Sequence, residues 1–520
     1  MRIKIARLLM IIVVLVNLAV LHHIWKLLSY HESKTLNSSV KLNLVKNNSR
    51  KHFLNNRNVT IVLRDIEFFE NNVAETIESL QNIFPRLKIL IVVDSLPYPP
   101  LNLKRNDSQD VKMINLQVQL HTSAEKRNPL FHIRTKYVLF LPDSVHISTT
   151  ELLLTMLSEV DKHPHNIISV PSSNSMSAAC LQIFLSVKEW TLQYNHVDED
   201  VCDSVTGRQA LLLEADILRM LPEPFMIPFP EAIYIQSSAK KLKVRLLRST
   251  MLRDGRALFQ SPHAQWKLQQ LTQARRAHMF RTLGIKKVVR ETGSVEWYGC
   301  NRDIPRCFGS VVGDMPQYLW EDKWTPPCCL AGLRRTARHV FEHLEASGVR
   351  YWLEGGSLLG AMRAGDILPW DYDVDVGIYR DDVPRCSWLV RAQSTSVVDD
   401  HGFVWEKATE GDFYRVQLSR VNHLHVDLFP FYERNGTMTK DSWFPTHKQD
   451  REFPAHFLHP LASLQFVGRL VSVPNNIRDF LELKFGPGAV ENPEYPDHSK
   501  LRFPRKPAFG EAVVQVDYDY

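Results

Sequence analysis

The sequence lacks several features that would settle its class at once. It has no strong excess of one charge: 63 lysines and arginines stand against 57 aspartates and glutamates, a formal net charge of +6. So weak a balance gives no electrostatic case for a nucleic-acid partner, and no stretch matches an RNA-binding motif. Internal repeats are absent, which excludes solenoids and propellers. Behind the apolar segment near the N-terminus no small-x-small cleavage signal follows, since His22, His23 and Trp25 stand where small residues are needed. Composition is otherwise that of a globular protein, 44% hydrophobic and 23% charged. A chain of 520 residues exceeds what one core usually supports, so two domains are expected, with room for a third.

What is present begins at the N-terminus. Basic Arg2, Lys4 and Arg7 precede an apolar run over 8–21 that continues to Trp25. Counted over 8–25 it is 18 residues long, near the lower limit for a bilayer-spanning helix. Positive charge lies before the span and almost the whole chain after it. The expected topology is therefore a cytosolic tail (1–7), a transmembrane signal anchor (8–28) and a lumenal body. A cleaved signal peptide and a buried helix are the competing readings. Residues 29–58 are polar and read as a flexible stem. A lumenal body makes N-x-S/T sequons meaningful, and Asn37, Asn47, Asn58, Asn106 and Asn435 each begin one.

The lumenal chain changes character near residue 289. Residues 59–64 (VTIVLR) and 88–93 (KILIVV) read as buried strands, and the segment between them carries Val73, Ile77, Leu80 and Ile83 at helical spacing. That β-α-β pattern predicts a parallel sheet in a first domain over 59–288. YVLFLPD at 137–143 repeats the buried strand followed by a polar turn. The pattern resembles the nucleotide-sugar half of a GT-A glycosyltransferase. It contains no convincing paired-aspartate metal motif, so a degenerate, non-catalytic domain is expected. A basic helical segment over 265–281 leads out of it. The second domain, 289–520, is dense in aromatics, cysteines and carboxylates and ends in a proline-rich, irregular tail.

There are seven cysteines. In an oxidising lumen unpaired thiols are uncommon, and Cys180 with Cys202, alone in the first domain, make a disulfide pair that closes a loop. Cys300, Cys307, Cys328 and Cys329 follow a C-x6-C-x20-C-C spacing. Four thiolates so close in sequence can hold one tetrahedral zinc, or pair as two disulfides; the spacing alone leaves both open. Pro326 and Pro327 make an irregular backbone beside the adjacent pair. Cys386 is left over, a buried thiol.

Three aspartates, Asp371, Asp373 and Asp375, alternate in PWDYDVDVGI (369–378). As a strand, this segment would set all three on one face, where like charges repel and resist desolvation. Upstream, a strand over 351–354 runs into Gly355, Gly356 and Ser357, then a short helix with Leu358, Leu359 and Met362. Glycines and a serine at a strand-to-helix junction let backbone N–H groups approach a phosphate. A glycine-serine turn, a short helix and paired carboxylates form the general pattern of the nucleotidyltransferase fold, in which the carboxylates hold Mg²⁺ over a phosphate. That fold needs a further carboxylate on a neighbouring strand. NHLHVDLFPF (422–431) offers Asp427, in alternation with His423 and His425. These histidines read as satisfied structural groups rather than metal ligands. An H-x-H-x-D set holding a transition metal for hydrolysis is the alternative chemistry. Residues 403–407 and 413–419 read as further strands of a mixed or antiparallel sheet, with Lys407 and Arg415 able to clamp phosphate oxygens.

WTPPCCL, YWLEGGSLLGAMRAGDILPWDYDVDVGIY and NHLHVDLFPFYERNGTMTKD together carry a closer likeness. The chain resembles the fukutin-related members of the LicD family, phosphotransferases that use CDP-activated alcohols. The resemblance runs from 96 to 488 and is most specific between 300 and 440. It implies a Golgi membrane enzyme of type II topology that transfers ribitol 5-phosphate from CDP-ribitol onto a ribitol 5-phosphate of the α-dystroglycan O-mannosyl glycan, releasing CMP. It implies Mg²⁺ (or Mn²⁺) on Asp373 and Asp375, with Asp371 touching substrate or supporting the ligands and Asp427 as the further carboxylate. Gly355, Gly356, Ser357, Arg363, Lys407 and Arg415 are the candidate donor contacts, and the resemblance implies Zn²⁺ on Cys300, Cys307, Cys328 and Cys329 within a loop over 300–329. The first domain, by the same likeness, is a non-catalytic stem associated with self-assembly. The expected fold class is thus α/β and α+β: a signal-anchor helix, a degenerate GT-A-like stem domain, and a nucleotidyltransferase-like catalytic domain with a zinc loop. A different CDP-alcohol phosphotransferase, a cytidylyltransferase, a glycosyltransferase using the first domain and a non-enzymatic Golgi scaffold are the alternatives.

Overall fold

The computed structural model describes residues 58–101, 110–173, 178–299, 301–306, 311–312, 315–445, 447 and 449–493. The signal anchor, the stem up to residue 57, Asn37, Asn47, Asn106, Cys300, Cys307 and the tail after 493 lie outside them. No helix among the described residues is long and apolar enough to cross a membrane. The chain forms two compact units: 1–178 with 205–225 and 242–265, and 179–204 with 226–241 and 266–520.

The first unit is an α/β sheet. Strand β1 (Val59–Leu63), helix α1 (Val73–Ile83) and strand β2 (Lys88–Val93) form the expected β-α-β unit, with the two strands parallel. Strands β3 (Val111–Asn115), β4 (Tyr137–Leu141), β5 (Ile167–Pro171), β6 (Gln209–Glu214) and β7 (Val244–Leu246) extend the sheet in the order β3-β2-β1-β4-β6-β5-β7. Only β6 breaks the parallel run, pairing antiparallel with β4 and β5. The strands are near-continuous apolar runs because helices cover both faces of such sheets. Helix α1 buries Val73, Ile77 and Leu80, and α2 (Glu151–Lys162) buries Leu153, Met156 and Val160. Asp143, just past β4, does not face open space. Its carboxylate accepts the backbone N–H groups of Asn72, which opens α1, and of Ser144.

The second unit is built on a mixed sheet. Its strands are β8 (Tyr351–Leu353), β9 (Val374–Tyr379), β10 (Val397–Val398), β11 (Val404–Lys407), β12 (Tyr414–Gln417) and β13 (His425–Arg434). Their order is β8-β9-β13-β12-β11-β10, with β9 and β13 parallel and the other neighbours antiparallel. Helix α3 (Pro327–Ala346) packs on β13, and α4 (Gly355–Ala364) packs between β9 and α5 (Ile477–Phe485). Trp352, Val376, Ile378, Leu428, Phe431, Phe453 and Phe480 form the centre of the core. Trp352 lies opposite Gly377 in the β8–β9 register, and a Cβ on residue 377 would come within 2.3 Å of the indole ring.

One expectation needs correction here. The aspartate strand starts at Val374, so Asp371 and Asp373 lie in the irregular segment that leads into it and only Asp375 is within the strand. Segments 179–204, 226–241 and 266–288, within the 59–288 span of the first domain, pack with the second compact unit. Periodicity reports local elements but not which core they join. Within the second unit, the Trp190 indole donates to the Trp324 carbonyl at 2.8 Å. The Cys180–Cys202 disulfide is formed, with Cα atoms 5.6 Å apart, at the end of the hairpin of strands Cys180–Ser186 and Thr191–Val197. Cys386 is fully buried and unpaired, as expected.

Candidate active site

The start of α4 sets the floor of the site. Glu354 caps this helix, and its other oxygen accepts the Trp352 indole N–H. Gly355 adopts φ +51°, which an L side chain rarely adopts. A Cβ there would lie 3.1 Å from Asp375 Oδ2, and one on Gly356 would lie 2.7 Å from Asp371 Oδ2. The glycine pair therefore makes room for two carboxylates against the helix N-terminus, whose dipole favours negative charge. Ser357 is buried below the site, and its hydroxyl accepts the backbone N–H of Asp375 at 2.9 Å. Of the three predicted phosphate-cradle residues, only Gly355 borders the cavity.

Parallel pairing of β9 and β13 places Asp375 and Asp427 in the same register. Asp373 precedes β9 and joins them on the wall of a cavity of about 350 Å³. Asp371 stands against Gly356, within electrostatic reach of Asp373. Burial, and then the Asp373 charge, push Asp371 well above the usual carboxylate range. Burial, then Asp373, Asp427, Asp371 and Glu354, do the same to Asp375. Burial is also the main cause of the rise at Asp373. Clustered carboxylates that resist ionisation suit a hard, oxygen-liganded dication, which removes their repulsion.

Basic groups surround this acidic centre. Arg415 grips Asp427 with two bonds, Nε to Oδ1 at 2.8 Å and Nη2 to Oδ2 at 3.0 Å, and reaches Glu410 at 2.7 Å. Lys440 is buried, paired with Asp450 at 2.8 Å, its ammonium 4.3 Å from the centre of the Phe429 ring. Lys484, on the buried face of α5, lies 3.4 Å from Glu354. His425 lines the cavity, with Nδ1 on the carbonyl of His423 and Nε2 3.8 Å from Asp427. His423 is exposed and bonds the Gln417 side chain.

Arg363 and Lys407 do not join the site. Arg363 donates to the carbonyls of Val490 and Glu491. Lys407 pairs with Asp412 at 2.6 Å. Lys407 is in register with Tyr414, whereas Glu406 is the neighbour of Arg415; strand alternation thus separates the two cations that the sequence reading put together.

Glu354, Lys440 and Lys484 were not singled out from the sequence. One signal was available: Lys484 falls four residues after Phe480, on the apolar stripe of α5, where a lysine needs a buried partner.

Cys328 and Cys329 are buried in the first turn of α3. Gly299, beside Cys300, packs so closely on Cys328 that a Cβ would lie 2.5 Å from its sulfur. Arg306, next to Cys307, borders the cavity.

Comparison with known proteins decides the family. Residues 46–291 match the fukutin-related protein stem domain, and residues 348–476 match the LicD/FKTN/FKRP nucleotidyltransferase domain. The chain is 47% identical over 444 residues to the Homo sapiens ribitol 5-phosphate transferase FKRP, covering 85% of this chain and 89% of that protein. The chain belongs to the fukutin-related protein family. It is a ribitol 5-phosphate transferase. The Mus musculus protein of the same name is 46% identical over the same lengths. Among solved structures, a lincomycin-bound lincosamide antibiotic adenylyltransferase aligns with 32% of the transferase and 92% of its own chain, at 14% identity and a TM-score of 0.22. So low a score carries no argument.

Proposed function

We propose that the transferase takes ribitol 5-phosphate from CDP-ribitol and attaches it to a ribitol 5-phosphate of the α-dystroglycan O-mannosyl glycan, with release of CMP. The observation that carries this reading is the shared register of Asp375 and Asp427 beside Asp373 and the α4 N-terminus. Asp373, Asp375 and Asp427 would hold Mg²⁺ or Mn²⁺. When bound, such an ion neutralises phosphate charge. Gly355 leaves the backbone open to a phosphate oxygen, and Lys440 and Arg306 add positive charge around the cavity. Arg415 holds Asp427 in one orientation. His425, its Nδ1–H directed to a carbonyl, keeps the Nε2 lone pair to receive the proton of the attacking hydroxyl. Positioning and charge neutralisation supply most of the rate in such transfers.

Zn²⁺ on Cys300, Cys307, Cys328 and Cys329 is the reading of the cysteine loop. The close approach of Gly299 to the Cys328 sulfur supports it, and Arg306 ties the loop to the cavity. In the first unit, engagement of Asp143 by backbone N–H groups supports a GT-A-like stem without catalysis, serving self-assembly. A signal anchor over 8–28 would place the body in the Golgi lumen. There Asn435, exposed at the turn between β13 and Thr437–Thr439, is open to glycosylation.

The test is product analysis. The protein with Mg²⁺, CDP-ribitol and a ribitol-phosphate-bearing glycopeptide should yield an extended glycan and CMP. Pyrophosphate release from CTP instead would replace this reading with a cytidylyltransferase.

A further inference from the structure

Away from the cavity, three histidines converge where α3 meets the β10–β11 turn. His339 and His343 are four residues apart on α3, one helical turn, and so share a face. His401 lies in the turn that joins β10 to β11. One nitrogen from each ring can be chosen so that all three lie within 4.8 Å of one another. None of the three borders the active-site cavity.

The turn that carries His401 is built around one carboxylate. Asp399 Oδ1 accepts the backbone N–H groups of His401 and Phe403, both at 2.9 Å. Its Oδ2 accepts the Trp405 indole N–H at 2.8 Å and meets His339 Nε2 at 2.6 Å. With Nε2–H directed at Asp399, the other nitrogen of His339, Nδ1, carries the lone pair. A carboxylate fixing the tautomer of a histidine in this way is the usual support of a metal-bound imidazole. His339 is further fixed by stacking on Phe403 at 4.0 Å. The rings of His343 and His401 make no hydrogen bond or ion pair among the described residues.

We propose that His339, His343 and His401 form a transition-metal site suited to Zn²⁺, separate from the cysteine loop, with Asp399 as the positioning residue for His339. Arg302 and Arg335 lie over the Phe403 ring, at 4.7 and 5.9 Å, and Arg302 offsets the Asp399 charge. The site therefore offers nitrogen lone pairs rather than net negative charge, which selects a borderline-soft ion over Mg²⁺ or Ca²⁺. Three protein nitrogens leave a fourth position for water at exposed His401. Zinc–nitrogen bonds of about 2.0–2.1 Å require the three rings to draw closer than they stand. His343 is partly exposed and His401 exposed, so both rings have room to turn. The ion would fasten α3, whose first turn carries Cys328 and Cys329, to the β10–β11 turn.

The test uses the full chain in detergent, saturated with Zn²⁺ and freed of loose ion by size exclusion. The His343→Ala/His401→Ala double variant is expected to hold about one zinc fewer per chain than the wild type. Equal zinc content would overturn the site. Co²⁺ titration gives a second reading. The wild type should gain visible d–d absorption without a matching rise in thiolate-to-cobalt charge transfer, and His401→Gln should lose that increment. Visible absorption unchanged by His401→Gln also overturns the proposal.

Discussion

Asp375 and Asp427 occupy one register position on two hydrogen-bonded parallel strands, so their side chains stand side by side at the cavity wall. Such a pair of like charges is unfavourable unless something between them is positive. Replacing Asp375 with Asn keeps the shape and removes one charge. The expected result is a loss of transfer of at least about 10²-fold, with folding intact. Near-normal turnover of the purified variant would exclude the cation role of this pair.

The same clustering sets a pH dependence. Asp371, Asp373 and Asp375 have proton affinities above the ordinary carboxylate range, chiefly through burial. In the metal-free protein their contribution to stability is therefore full below the unfolded carboxylate range and is lost as pH rises through the raised folded values. Saturating Mg²⁺ should reverse the trend, because ligands must shed protons to bind. Thermal melting from acid to neutral pH, with and without Mg²⁺, tests both signs. Parallel curves under the two conditions would contradict the prediction.

Arg415 fixes Asp427 through a two-pronged bond that lysine cannot reproduce. Arg415→Lys retains the charge and is expected to lower turnover by up to about 10²-fold through misplacement of Asp427. Kinetics matching the wild type would show that charge alone suffices there.

Arg363 and Lys407 make a complementary pair of controls. Both are occupied elsewhere, with the carbonyls of Val490 and Glu491 and with Asp412 respectively. Lys407→Ala and Arg363→Ala should change KM for the donor by less than about twofold, since neither side chain borders the cavity. A large rise in KM would return either residue to the site.

Gly377 is needed for packing. Alanine there would drive its methyl into the Trp352 ring, which has no room to retreat in a core shared with Phe431 and Phe453. A destabilisation of about 1–3 kcal/mol is expected, read as a lowered melting temperature at unchanged metal affinity.

Much of the catalytic unit was legible because strands β9, β11, β12 and β13 follow apolar alternation and because Gly-Gly-Ser before an aspartate pair has few other uses. Asp373, Asp375, Asp427, Gly355 and Arg415 all reach the cavity as expected. Where the reading failed, the cause was a one-residue phase or a long-range contact. Lys407 is one position out of step with the polar face. Lys440 and Lys484 depend on Asp450 and Glu354, partners that no local pattern names. The histidine trio was hidden for the same reason, since His401 is 58 residues from His343 in sequence (401 − 343).

The division of the chain bears on modularity. It passes from one unit to the other after residues 178, 204, 225, 241 and 265. Neither unit is one continuous stretch of the chain, so a cut at a single boundary removes part of one of them. A fragment beginning at 289 would lack Trp190, the disulfide hairpin and the residues of 226–241. A substitution in 179–204, 226–241 or 266–288, within the nominal stem, can therefore act directly on the fold of the second unit.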